Sequence, residues 1–520
     1  MSDRRDVAAG DTLGRSALRE ASLTGVRWGS ASRLVAEAIA FGASIVLARL
    51  IAPAEFGVAI VALGIGAVAP ALTWTGFGVP LVRMPTVERA HVEVATLLSV
   101  LVTMSLTLVT VVVIAPLGIE PIFGSRVAYL LKLVSPIFAL AGISAVPSAL
   151  LQRDLRFRRL SEIEVASLVA APLTSISLAA TTPLSGEAIV LGGVAAAATL
   201  TALTVASAPR VTPRWRRSEA RDVTAVGVFA ALSAVTTVIS RNIHYAILGA
   251  RLPAQDVGLF WRGYQLAVGY QVKLGFLMSK VAFPLFSRTE DLDALRHLRF
   301  RVLQTQSVLL FPLLTTLIVV GPELVTLLYG RRWEGAAFPT QVLAVAGMAT
   351  IAASAGSGLA LAAGKERPLL LFNVIRLAVL TAVVVWSSSY GFRTVAVAIA
   401  IHQVVFVGVQ FAYLESRHVG IPLRQTWAAL VPAAVASAVA LSIAYPAVRA
   451  LAPEVGDGAV VASGGALCVG LYALVVRLGF PSTWSAILRL GVALVRPRAT
   501  KVVADGVAGP PAQASEAQRG

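Results

Sequence analysis

The sequence predicts an all-α integral membrane protein of about 14 transmembrane helices, arranged as two parallel six-helix lobes plus two C-terminal helices, with a central cavity between the lobes. Three observations predict this. Of 520 residues, 57% are hydrophobic and only 14% charged, with a mean hydropathy of +0.79; a soluble domain carries about 25% charged residues. Val94 to Ile119 holds no charged residue, and about 20 apolar residues cross a hydrocarbon core some 30 Å thick. Finally, the chain repeats itself. ARLIAPAEFGV (Ala48–Val58) and ARLPAQDVGL (Ala250–Leu259) each close one span and open the next, with one residue fewer before the glycine in the second. Internal repeats of this kind are common in secondary transporters, whose substrate site lies between the halves. Chance similarity of one short loop is the competing reading.

Apolar runs between turn and charge signals place the spans at 29–49, 57–79, 94–115, 127–150, 163–182, 187–208, 223–248, 258–282, 303–328, 336–362, 368–387, 393–414, 427–447 and 458–477. Six spans separate the repeated turns, so both lobes enter the membrane in the same orientation. The lobes cover 29–208 and 223–414, joined by a basic cytoplasmic linker, 209–222, and followed by two additional helices within 427–477. The N-terminal segment, 1–28, is polar, has no signal-peptide pattern and is expected to be cytoplasmic. The stretch 478–520 reads as a cytoplasmic amphipathic helix with a disordered tail. Residues 284–302 read as a second interfacial amphipathic stretch.

Charge placement tests the layout independently. With the N-terminus inside, the inner segments hold 29 Lys and Arg and the outer connections seven: Arg49, Arg126, Arg251, Arg331, Arg332, Arg393 and Arg449. This is the positive-inside pattern. The net charge of +17 therefore records topology and contact with anionic lipid, not an affinity for nucleic acid.

Other functions lack their signatures. There is no GxxxxGK[ST] phosphate loop, no long outer loop for a glycosyltransferase or polymerase, and no pair of carboxylates in one loop for acid–base chemistry. Cys468 is the single cysteine and the five histidines are scattered, so no metal site and no cofactor are expected. An enzyme is not expected.

LARLIAPAEFG followed by TGFGVPLVR resembles the opening of the polysaccharide-exporter and oligosaccharide-flippase family. LLQRDLRFRRL (Leu150–Leu160), SRNIHYAILGARLPAQDVGLFWRGYQLA running on to VAFPLFSR (Ser240–Arg288), and LLYGRRWEGAA (Leu327–Ala337) are similar to that family's later landmarks, in the same order. The resemblance covers about residues 25–430. It implies a flippase that turns a polyprenyl-diphosphate-linked oligosaccharide from the inner to the outer leaflet of a bacterial plasma membrane by alternating access, with both termini cytoplasmic. The partners it implies are the lipid-linked glycan and the polymerase and glycosyltransferases of the same pathway. In the Arg-Asn-x-acidic pattern of the seventh span this chain has His244, so no role of that carboxylate carries over. The alternative is a multidrug or cation antiporter on the same fold.

Ionisable groups inside a membrane are expensive and ask for a reason. In the eighth span Arg262, Lys273 and Lys280 fall on one helical face at 100° per residue; Arg33, Arg241 and Arg376 add further positive charge in the first, seventh and eleventh spans. These six are the candidate diphosphate contacts, since Arg matches phosphate oxygens bidentately and Lys supplies a point charge. The competing reading for Arg262 and Lys280 is snorkelling to the headgroups. Glu37 lies one turn after Arg33 and can pair with it, or exchange a coupling ion. His244 and His402 are candidates for coupling or for helix pairing. Pro70, Pro136, Pro147, Pro172 and Pro312 permit kinks within spans.

Overall fold

The computed structural model describes residues 35–273, 291–452 and 454–495. The sequence-predicted contacts Arg33 and Lys280, the segment 1–28 and the tail from 496 lie outside the described residues. Within them every regular element is a helix. Twelve helices are long and apolar enough to cross a membrane: α2 (Pro53–Arg83), α3 (Arg89–Phe123), α4 (Ser125–Arg153), α5 (Phe157–Thr181), α6 (Gly186–Ser207), α7 (Arg217–Arg251), α9 (Leu292–Tyr329), α10 (Arg331–Ala362), α11 (Glu366–Ser388), α12 (Phe392–Val419), α13 (Leu423–Leu451) and α14 (Asp457–Gly479). The first and eighth predicted spans are described in part, as α1 (35–50) and α8, which begins at Ala254–Tyr264 and runs to 273. A last helix, α15 (Pro481–Val495), follows α14.

Local chemistry explains the interruptions. Pro70 and Pro136 each stand just after a break, at Ala67 and Ser135, where a missing N–H frees carbonyls of the preceding turn. Pro147 and Pro172 sit inside continuous helix. α9 bends at Val320, where φ is −110° and ψ is 16°. Residues 291–302 are not a separate interfacial helix. Those from Leu292 onward are the first turns of α9, and Arg299 there is 1% exposed.

The described chain divides into two compact units. Among the described residues the first takes 35–273, Gly321–Ala346 and Leu370–Phe406; the second takes 291–320, Gly347–Leu369, 407–452 and 454–495. In the first unit α2 packs along α8, α3 along α4 and α5 along α6. Hydroxyls stitch these pairs: Ser99 Oγ donates to the Gly142 carbonyl at 2.9 Å and Ser167 Oγ to the Ala196 carbonyl at 2.9 Å. Without a hydrophobic force between helices in lipid, small residues and hydroxyl bonds of this kind carry much of the association. In the second unit α13 packs on α14, with Thr315 Oγ1 bonded to Ser437 Oγ at 3.0 Å and Tyr472 Oη to the Val308 carbonyl at 3.2 Å.

The internal repeat reappears in the turns. Gly124 (φ +84°) links α3 to α4 and Gly330 (φ +89°) links α9 to α10. Each sits in a left-handed conformation that a side chain would strain, and each precedes a basic turn, Ser125-Arg126 and Arg331-Arg332.

Candidate functional site

Three groups of charged and ring-bearing residues in the first unit contain the sequence-predicted candidates that are described. The first joins α1 to α8. Lys273 Nζ donates to Glu37 Oε2 at 2.5 Å, with side chains 43% and 21% exposed. Lys273 Nζ also stands 5.4 Å from the centre of the Tyr270 ring, whose own edge meets Phe41 at 5.3 Å. The sequence pairs Glu37 with Arg33 one turn away; in the structure its carboxylate reaches across to Lys273, 236 residues further on.

The second group gathers round Tyr264 on α8. His244 on α7 lies 4.9 Å from the Tyr264 ring, Tyr245 6.0 Å and Phe260 6.1 Å. Arg241 on α7 and Arg376 on α11 both lie within electrostatic reach of the Tyr264 phenol. Neither has a carboxylate partner among the described residues. His402 on α12 completes the group. Its Nε2 donates to the Arg376 carbonyl at 3.2 Å and its ring stacks on Phe406 at 4.4 Å. Because a carbonyl only accepts, this bond puts the proton on Nε2. Nδ1 is buried without a partner among the described residues. Four residues scattered over 162 positions of sequence, Arg241, His244, Arg376 and His402, are thus brought together by α7, α8, α11 and α12.

The third group encloses Arg262. This residue is 0% exposed. Its guanidinium carbon lies 4.9 Å from the ring centre of Phe56, 4.8 Å from Trp261, 4.5 Å from Tyr329 and 4.8 Å from Trp333. No hydrogen bond of good geometry reaches any of its three nitrogens among the described residues. Trp333 is fixed in turn by its Nε1–H donating to the Ala48 carbonyl at 2.7 Å. Arg49 ties the same region by donating to the Leu327 and Leu328 carbonyls at 2.7 and 3.0 Å. Arg262 does not snorkel. Nor does it share a face with Lys273, because a π-helical turn, Gln265–Gly269, lies between them. One residue added to a turn rotates everything beyond it by about 100°, and a constant 100° per residue cannot foresee it.

The second unit holds a polar cluster that the sequence reading missed. Arg299 on α9 donates to both oxygens of Glu415 on α12, at 3.1 and 2.9 Å, with side chains 2% and 1% exposed. Gln410 Nε2 bonds the Ala353 carbonyl at 3.0 Å and Arg299 Nη2 the Ala352 carbonyl at 3.3 Å. Both carbonyls face a break in α10 between Ala353 and Gly356, so the pair satisfies backbone groups that the interrupted helix releases. Among the described residues no group of three His, Cys, Asp or Glu stands close enough to hold a metal ion.

An all-helical, multi-pass membrane protein with buried basic and aromatic groups is the class these features define. Residues 46–338 match the family described as polysaccharide biosynthesis protein, and the chain belongs to that family. It is 26% identical to the lipopolysaccharide biosynthesis protein WzxC of Escherichia coli (strain K12) over 64% of this chain and 68% of that one. It is 22% identical to an uncharacterized membrane protein in the cps region of Klebsiella pneumoniae, over 76% and 83%. The teichuronic acid biosynthesis protein TuaB of Bacillus subtilis (strain 168) is 22% identical over 46% and 50%. In fold the chain is similar to the lipid II flippase MurJ in an inward closed conformation, with a TM-score of 0.73 over 87% of this chain and 99% of that one at 11% identity. An inward-facing multidrug resistance transporter of the MATE family gives 0.58 over 75% and 95% at 14% identity.

Proposed function

We propose that this chain moves a polyprenyl-diphosphate-linked oligosaccharide, a polysaccharide precursor, from the inner to the outer leaflet of a bacterial plasma membrane. The lobes 29–208 and 223–414 alternate access to a central cavity, both termini are cytoplasmic, and no covalent step is involved. The basic linker 209–222, with Arg214, Arg216 and Arg217 beside the exposed Trp215, lies against anionic headgroups of the inner leaflet. The polymerase and glycosyltransferases of the same pathway hand over and receive the cargo.

The observation that carries this reading is the pair Arg241 and Arg376. Each sits in a long apolar helix, α7 or α11, and neither has a carboxylate partner among the described residues. Such a pair is poised for a dianion, with the phenol as a further donor. Lys273 supplies a third positive charge. We assign Arg262, closed in by four rings, to holding helix ends together and not to touching cargo. His244 and His402 pack the helices that carry Arg241 and Arg376.

A drug or cation antiporter is the second reading, favoured by the likeness of fold to the multidrug transporter. The test is mass spectrometry of prenyl-linked glycans in cells depleted of the protein. Build-up of one lipid-linked oligosaccharide on the inner side supports the flippase and identifies its cargo. Unchanged lipid-linked pools with altered sensitivity to cationic drugs would replace it with the antiporter.

A further inference from the structure

Two ion pairs among the described residues, each joining distant helices through one basic residue and one glutamate, differ in a way that assigns them different work. Arg299 and Glu415 meet through two contacts with both side chains 2% or less exposed. Lys273 and Glu37 meet through one contact, at 2.5 Å, with the ammonium 43% and the carboxylate 21% exposed. The first is sealed. The second is open to a ligand, and its ammonium keeps two further N–H donors.

From this geometry, and resting on the flippase reading above, we propose that Glu37 is a built-in stand-in for the cargo's phosphate. In the unloaded chain its carboxylate occupies Lys273. A diphosphate arriving at the same ammonium displaces it, because two anions crowded on one ammonium repel each other and the diphosphate carries the greater charge. The Tyr270 ring, 5.4 Å from Nζ and braced by Phe41, holds the ammonium in place whichever anion it carries. Glu37 therefore weakens cargo binding in proportion to the strength of its own pairing. It also excludes weaker anions, which fail to displace it.

The sign of the Glu37 effect separates this role from others. A carboxylate that merely braces two helices, or one that couples an ion, would impair binding or transport when neutralised. A competitor would improve binding. The probe is undecaprenyl diphosphate, titrated into the purified full chain in nanodiscs of zwitterionic lipid. Glu37→Gln should bind it about two- to fivefold more tightly than the parent, the range of one partly exposed ion pair. Lys273→Gln should bind more weakly, and the double variant should match Lys273→Gln, since the competitor has nothing left to occupy. Unchanged or weaker binding by a folded Glu37→Gln overturns the proposal. Should that variant not fold, the parent decides. Carbodiimide labelling of Glu37 should rise on adding the probe, and a flat response overturns the proposal. Nanodiscs containing phosphatidylglycerol give the last arm. If that lipid alone raises labelling, the displacing phosphate belongs to bulk lipid and the diphosphate assignment falls. Binding without any response from Glu37 sinks only this inference, whereas no binding of the probe to the parent sinks the flippase reading with it.

Discussion

Gly57 of α2 and Gly258 of α8 face each other through a reciprocal backbone contact. A Cβ on Gly57 would stand 1.9 Å from the Ala254 carbonyl oxygen, and one on Gly258 would stand 1.9 Å from the Pro53 carbonyl oxygen. Pro53 and Ala254 hold matching places in the two sequence repeats, as do the glycines. The two repeated turns are thus packed on each other through matching positions.

Because the obstructing atoms are backbone, no side-chain rotation relieves a clash there. Gly57→Ala and Gly258→Ala are each expected to destabilise the protein by about 1–3 kcal/mol, the range for overpacking a tight contact. Because the positions match, the two effects should be similar in size. Thermal unfolding in detergent checks this. A fall in melting temperature for one variant with none for the other would refute the reciprocal reading.

Arg262 leads to an unusual expectation. An ion enclosed by rings and without a counter-ion gives back part of its desolvation through cation–π contact, about 2 kcal/mol or more for a desolvated one. Replacing such an ion by an apolar side chain of similar length is often neutral or stabilising. Arg262→Met should therefore unfold within about 1 kcal/mol of the parent. Trp333→Leu should do worse, losing roughly 3 kcal/mol. It opens a cavity, strips the ion of one ring and removes the 2.7 Å bond to the Ala48 carbonyl. Melting curves of the two variants side by side decide it; a reversed order would mean the ion, not the rings, holds the cluster.

How much of this was legible follows from the range of each interaction. Span positions were readable because hydropathy is local, and the twelve long apolar helices fall on twelve of the predicted spans. The repeat was readable because Arg49 and Arg251 sit in near-identical words. Arg241, His244, Arg376 and His402 were readable singly, since an ionisable residue in an apolar run stands out. The gathering of Arg241, His244 and Arg376 round Tyr264 was not, because tyrosine in a span carries no such contrast. Glu37 found Lys273 and Arg299 found Glu415 across 236 and 116 residues, distances at which one sequence offers no pairing signal. Arg299 was further disguised by its place in a charged stretch that reads as surface.

The Arg299–Glu415 pair makes a prediction of opposite character to Arg262. Removing one member of a sealed ion pair strands the other charge. Arg299→Met should destabilise by about 3–5 kcal/mol, and the Ala352 carbonyl at the α10 break loses a donor as well. Arg299→Met combined with Glu415→Leu should recover most of the loss, because no charge then stays buried. Gly356→Ala should harm the same cluster, as its Cβ would lie 2.0 Å from Gln410 Nε2 and 2.6 Å from Glu415 Oε1. Unfolding of the single and double variants gives the coupling directly; a double variant as unstable as the sum of its parts would show that the two residues act separately.

Arg241 and Arg376 test the proposed cargo contact most directly. Charge-assisted hydrogen bonds to a phosphate are worth about 1.5–3 kcal/mol each, or roughly ten- to a hundredfold in affinity. Arg241→Gln and Arg376→Gln should each lower export of the lipid-linked glycan by at least about tenfold, and the double variant should abolish it. Stability should move the other way, because either single change removes a buried positive charge that no carboxylate neutralises among the described residues. Arg376→Lys should retain part of the activity, since it keeps the charge but loses the planar fork. His402 offers the control. Its bond goes to the Arg376 backbone carbonyl, so His402→Gln, which still offers an N–H there, should transport nearly as well as the parent. Pools of lipid-linked glycan in each leaflet, measured with melting temperature on the same variants, give both readouts. Loss of export with raised stability places the two arginines on the cargo, whereas parental export in the double variant removes them from it.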